Sequence, residues 1–342
     1  VMPDVILAGF SAEAADELQR QTGIPVVSVR YRTQGFLDDD FYGTLRLFAE
    51  VVGAEERCEE VLSYLDTCRA DLESRTADVP DEAKKSAYTG AVTFNGRHGF
   101  AFTYVNFPPF AAIHANNVAD VFLESATGEA AQEAQQNGTA YVGQNGFEVD
   151  LEQILAWDPD IIFLDPGNMD LVNEEYAKNP GFFESLRAVQ EGELYTMPSS
   201  NAAGPNITYL LINAYYAGTV LYPDRFADVD LEAKAGEIMT ALLGEDFIDA
   251  ALPDDGIALF AHARVAEKLD NILEPASGFV DVVFALAASI HAPGDHHFGI
   301  IHAQRMILVV KDERHFAIAH AFALLRAVED DVLHLAAAQR LG

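Results

Sequence analysis

Apolar residues along the chain fall into short separated runs, and the polar residues between them alternate two kinds of element. Val5 to Leu7 is a continuous apolar run of strand length, entered through Pro3-Asp4. Ala12 to Gln21 has helical spacing and stops at Gly23, a residue suited to the left-handed turn that closes a helix. "IPVVSV", Ile24 to Val29, is a second strand-length run. Strand, helix, strand in such quick succession predicts a parallel α/β sheet, because parallel neighbours need a crossover between them.

Two helices follow the acidic turn "LDDD". The first places Phe41, Leu45, Phe48 and Val52 on one face and ends at Gly53; the second runs from about Glu55 to Arg75 with Val61, Leu62, Leu65, Cys68 and Leu72 inward. "TADVPDEAKK" is a polar linker, after which the α/β pattern resumes. "SAYTGAVTF" reads as a strand, "NGRHGFAFTYVNFPPF" as a Gly- and aromatic-rich loop, and "AAIHANNVADVFL" as largely helix. A helix "DLEQILAW" leads into the strand "DIIFLD", then come a helix "NPGFFESLRAVQEG" and a strand and loop "ELYTMPSS". The long apolar helix "NITYLLINAYYAGTVLYP" closes at Pro223, and "DLEAKAGEIMTALLG" is the last helix on this plan. Pro159-Asp160 repeats the strand entrance of Pro3-Asp4, 156 positions later (159 − 3). Each copy leads into strand, loop, helix and strand, as a protein of two α/β lobes would have once per lobe.

Charge narrows the partners. With 54 acidic against 21 basic residues the formal net charge is −33, which opposes nucleic acid because phosphate contacts need clustered Lys and Arg. It suits a highly soluble protein, as in a salty medium. Eight of the ten histidines lie beyond Ala261, where acidic residues thin out, so the tail reads as a piece of different origin. Cys58 and Cys68 on one helix stand about 15 Å apart along its axis, too far for a disulfide, and are expected as semi-buried free thiols. No apolar run reaches the roughly 18 residues a membrane span requires.

The ordered motifs "PDVILAG…TGIPVVSV", "LRLFAEVVGAEERCEEVLSYLDTCRADLESR", "WDPDIIFLD", "NPGFFESLRAVQEGELYTMPS" and "YYAGTVLYPDRF" resemble the ABC-importer substrate-binding proteins of the helical-backbone type. These join two α/β lobes by one long helix and bind ferric siderophores, haem and cobalamin. The resemblance implies an α/β, two-lobed periplasmic-binding-protein fold with a truncated N-terminal lobe. Residues 1–32 would be the remnant of that lobe, 33–78 the inter-lobe helical spine, 79–245 the C-terminal lobe, and 246–342 an unassigned tail. It further implies an extracytoplasmic, non-catalytic protein without a cofactor, which captures an iron chelate or a corrinoid- or haem-like ligand for an ABC permease. Acidic surface residues would dock that permease.

In such a fold the ligand lies in the cleft at the carboxyl ends of the strands. Three loops qualify. One holds Arg97, His98, Phe100, Tyr104 and Phe107; the guanidinium could pair with an anionic chelate and the rings could cover a flat one. Their alternative is packing against their own lobe. The second runs from Asp165 to Asn168, where Asp165 could instead cap the next turn. The third offers Asn201 and Asn206, with helix capping the competing role for Asn206. In the tail, His291, Asp295, His296, His297 and His302 could bind zinc or iron, which keeps a metal-dependent enzyme as the rival reading and a non-functional fragment as a third. "GFVDVVFALAASI" in the tail is apolar enough to cover strand edges left by the short first lobe, though the tail matches the α/β pattern weakly.

A cleft with one reduced wall loses contacts, and about 1.4 kcal/mol lost is tenfold in affinity. This chain is therefore expected to bind ligand weakly beside a version carrying a restored N-terminal lobe. Equal, tight binding by both in a side-by-side titration would show that the C-terminal lobe and tail suffice.

Overall fold

The computed structural model describes residues 3–9, 11–29, 37–94, 96–122, 146–200, 206–245 and a strand at 307–310. β1 (Val5–Ala8), α1 (Ala12–Thr22) and β2 (Val26–Ser28) form the first unit, with β1 and β2 parallel and Ile6 opposite Val26. The Ser11 hydroxyl accepts the Ala14 amide to start α1, and Gly23 ends it at φ +71°. Ile6 and Ile24 are buried there, with Leu18 and Val26 packed on them.

The free edge of β1 is occupied. A tail strand, Ile307–Val310, pairs with it antiparallel, Val5 opposite Val310 and Ala8 opposite Ile307. The sequence "ILVV" is apolar and β-branched, as a strand prefers, and an open row of N–H and C=O groups on β1 is a template for such a run. The tail thus adds to the α/β sheet through these four residues. The segment "GFVDVVFALAASI" lies outside the described residues, as does the histidine cluster at 291–302.

α2 (Asp39–Val52) and α3 (Glu55–Thr76) follow as a packed helix pair. The Asp38 carboxylate accepts the Phe41 amide at 2.9 Å, and Gly53 turns the chain between the helices at φ +72°. α3 buries Cys58, Val61, Leu62, Leu65, Cys68 and Leu72, the three- and four-residue spacing of a single buried stripe. Both cysteines are free and fully buried rather than half-exposed. At the far end Arg75 donates to both Asp228 oxygens (2.7 and 2.9 Å) and to Asp71, while its guanidinium lies 5.1 Å over the Phe226 ring. Only 17% of that side chain is exposed, so this multidentate, stacked contact is worth more than an ordinary surface pair.

The second sheet follows from β3 (Ser86–Gly90), β4 (Phe102–Tyr104), α4 (Pro108–Ala111), β5 (Asn116–Asn117), β6 (Gly146–Glu148) and α5 (Leu151–Trp157). β7 (Ile161–Leu164), α6 (Met169–Lys178), α7 (Pro180–Ser185), α8 (Arg187–Glu191) and β8 (Leu194–Thr196) come next. α9 (Ile207–Leu221) and α10 (Leu231–Leu243) close it. The parallel order is β5-β3-β7-β8, and β4 and β6 make a separate antiparallel pair. Along β7, Ile161 and Phe163 face the core shared with α3 and α9, while Ile162 and Leu164 face the core under α5 to α8.

Three sequence readings change here. "AAIHANNVADVFL" is not a helix: it holds a turn, the short β5 and a 3-10 turn at Val118–Phe122. Asn117 explains this, because its buried side chain donates to the Tyr104 carbonyl and to Asp120 instead of leaving the backbone to a helical ladder. The aromatic loop contains β4 and α4. "NPGFFESLRAVQEG" is two helices, broken at the extended and fully buried Leu186. Among the described residues no helix is long and apolar enough to cross a membrane.

Gly218 on α9 has no room for a side chain: a Cβ there would run into the Phe226 ring, over which the Arg75 guanidinium also lies. Gly218→Ala is expected to destabilise by about 1–3 kcal/mol despite better helix propensity, read as a lower thermal midpoint. An unchanged or raised midpoint would show that Phe226 is free to move.

Candidate ligand-binding site

In a parallel sheet every strand points its carboxyl end to one side, and the chain leaves β3 for β5 on one flank before returning to β7 on the other. Loops diverging from such a switch point leave a crevice between them. A small recess of about 10 Å³ lies there, walled by Thr89 near the end of β3, Val92 and Thr93 after it, Asp165 after β7, and Met197 to Ser200 after β8, with Tyr104 and Phe107 alongside.

Two turns and the end of β4 are tied together at this point. Thr93 Oγ1 donates to Asp165 Oδ2 at 2.6 Å, and the Gly167 amide donates to Asp165 Oδ1 at 2.9 Å. Asn168 Nδ2 donates to the Ala91 carbonyl (2.7 Å) and to Thr93 Oγ1 (2.9 Å). Ala91 takes φ +54°, a conformation costing about 1 kcal/mol for a residue with a Cβ, and the Asn168 bond helps hold it. The Tyr104 hydroxyl donates to the Thr93 carbonyl at 2.6 Å, and its ring stacks on Phe107 with centroids 5.3 Å apart.

The residues singled out from the sequence separate into distinct places. Tyr104, Phe107 and Asp165 wall the recess. Asn168 is fully buried and braces the turns; its Oδ1 accepts Arg97 Nε at 3.0 Å. Arg97 also pairs with Asp170, both half exposed. His98 donates Nε2–H to the Phe94 carbonyl at 2.8 Å and stacks on Phe102, centroids 3.6 Å apart. Phe100 is in the core, edge-on to Phe182 and Phe183, the packing alternative weighed for that loop. Asn206 caps α9, accepting the Tyr209 amide at 3.1 Å, and Asp165 caps the 3-10 turn Pro166–Asn168. Asn201 lies outside the described residues. Thr93, Ser199 and Ser200 were not singled out; the available signal was small hydroxyl residues immediately following buried strand runs.

A larger groove of about 500 Å³ runs between α3, α9 and α10, with Tyr64, Cys68, Asp71, Tyr215 and Lys234 among its walls. Its charges answer one another: Lys234 with Glu237, Tyr64 with Glu237, Tyr215 with Asp71. It stands on the flank of α3, away from the residues that wall the recess.

Residues 1–201 match the family described as periplasmic binding protein. The chain belongs to that family. Among solved structures, the periplasmic solute binding protein from Veillonella parvula DSM 2008 is 19% identical with a TM-score of 0.51, over 74% of this chain and 68% of that one. The ABC transporter solute binding protein from Sulfurospirillum deleyianum DSM 6946 is 20% identical with a TM-score of 0.51, over 74% and 71%. At these identities the likeness shows the fold. No curated protein matches. This binding protein is of the type with a long helix between its α/β lobes.

Burial dominates the electrostatics of the binding protein's recess. It pushes the Asp165 carboxyl up to about 6, against the opposing pull of the Thr93 and Gly167 hydrogen bonds and the Arg97 charge. In the unfolded chain the same group titrates near 3.8, so the folded state holds its proton longer. The stability this lends is fully present below about pH 4 and is lost as pH rises through about 6, an effect on the order of 2–3 kcal/mol. Asp165→Asn is expected to remove that loss, flattening the difference between denaturation midpoints at pH 4 and pH 7. An equal pH dependence in both proteins would show that Asp165 ionises as easily when folded as when unfolded.

Proposed function

We propose that this chain is the extracytoplasmic solute-capturing component of an ABC importer, and that its solute is an iron chelate or a related metal-containing cofactor handed to a permease. The observation that carries the reading is the recess at the switch point, where hydroxyls and a carboxyl from three separate strand ends converge beside stacked rings. Binding without bond-making needs such a set: directional polar groups on a rigid sheet, and flat apolar surface to cover the rest of a solute. The stacked, half-buried rings of His98 and Phe102 offer that surface beside the loop after β3, while Tyr104 and Phe107 back the recess from the core. We read residues 79–245 as the lobe that carries the site, 33–78 as the spine and 1–32 as the part of the opposite lobe present here.

Calorimetric titration of this chain with a ferric trihydroxamate, haem and cobalamin tests the reading. Trp157 is a poor reporter, since it packs against Tyr88 and Phe122 at the entrance of β7, the opposite end from Asp165. One of the three solutes should bind, and Asp165→Ala should weaken it at least ~tenfold, about 1.4 kcal/mol. No binding by any of them removes the iron-chelate assignment.

A further inference from the structure

The groove of about 500 Å³ between α3, α9 and α10 falls within the roughly 300–1,000 Å³ of small-molecule sites. Its described walls carry four carboxylates, from Asp71, Asp228, Asp230 and Glu237, against the two cations Arg75 and Lys234, a balance of −2 (2 − 4). Arg75 is held between Asp71 and Asp228, and Asp230 caps α10 by accepting the Ala233 amide. The other cation shows how a positive group sits here. Lys234 Nζ donates to both Glu237 oxygens at 2.9 Å and lies 5.2 Å from the centre of the Tyr215 ring. The hydroxyl protons are committed: Tyr64 donates to Glu237 and Tyr215 to Asp71, each at 2.9 Å, and Thr67 donates to the Ser63 carbonyl of its own helix. A ring face attracts a cation through its quadrupole, and a carboxylate has about four lone-pair sites to offer its protons.

We propose that this groove binds an organic monocation, an ammonium carried on an apolar stem, and that the Lys234 side chain is its internal competitor. The entering ammonium takes the place of Nζ, over the Tyr215 ring and against the Glu237 carboxylate. Lysine suits the part of competitor, because its charge is a point at the end of a flexible stem that can swing out to solvent. An anion of the same size finds both cations engaged and a surplus of negative charge. The site draws on three helices, with Tyr64 and Asp71 from α3, Tyr215 from α9 and Glu237 from α10, so a bound cation ties α10 to the other two. None of these residues walls the recess, and the inference is independent of the solute-capture reading.

Benzylammonium, benzyl alcohol and benzoate test the proposal on the full chain, followed through the amide resonances of Cys68 and Ala233, which line the groove. Benzylammonium should bind at least ~tenfold more tightly than benzoate. Lys234→Met removes the internal ammonium and keeps an apolar stem, and should tighten benzylammonium at least ~tenfold with little change for the alcohol. Lys234→Gln serves the same purpose should the methionine variant fail to fold. Lys178→Met removes one positive charge outside the groove and should leave the affinity unchanged. Glu237→Gln should bring benzylammonium down toward the affinity of the alcohol. Benzoate binding as tightly as benzylammonium would overturn the proposal. So would equal benzylammonium affinity with and without Lys234, equal tightening by Lys178→Met, or resonances that benzylammonium leaves unmoved in every protein.

Discussion

Strand β7 has no exposed face, and much of the molecule answers to that. Ile161, Ile162, Phe163 and Leu164 are all buried to 1% exposure or less. A parallel strand in that position must be covered on both sides by helices, because each face loses its hydrophobic contribution wherever water reaches it. α3 and α9 serve one face, α5 to α8 the other. With both faces closed, only the strand ends meet solvent. The site is therefore not an independent feature of this fold: it occupies the place the packing leaves open, and the switch between β5 and β7 around β3 makes that place concave.

Holding a concave site open has a structural cost, met by one hydrogen-bond node. Ala91 in the left-handed region, Asp165 buried and Asn168 fully buried would each destabilise the lobe if unsatisfied. Joined through Thr93, they satisfy one another.

The sequence showed most of the fold because its strong signals are periodic. The α3 stripe, the Gly23 and Gly53 stops, and the apolar runs of β1, β3 and β7 all stand where the spacing placed them. What it misjudged depends on contacts between distant residues. Leu186 breaks a helical pattern because the core under α7 and α8 takes its side chain, and Asn117 opens a helix because Tyr104 and Asp120 lie across from it. The tail strand Ile307–Val310 was hidden for the same reason: "ILVV" is an ordinary apolar run until an unpaired edge of β1 is there to receive it.

The site was legible by place and not by role. Loops after buried strands were recognisable, and Asp165, Tyr104 and Phe107 do stand around the recess. Side-chain roles were hidden because Asp, Asn and Thr do two jobs with one vocabulary of hydrogen bonds. Asp165 caps a turn through Oδ1 and binds Thr93 through Oδ2, while the same carboxyl walls the recess. The capping and binding alternatives weighed for this residue are compatible, since a cap fixes the carboxyl in position and fixed position is what a binding group requires. For Asn206 the cap has no such second face in the recess, so one motif logic leads to two different outcomes, decided by which strand end the loop follows.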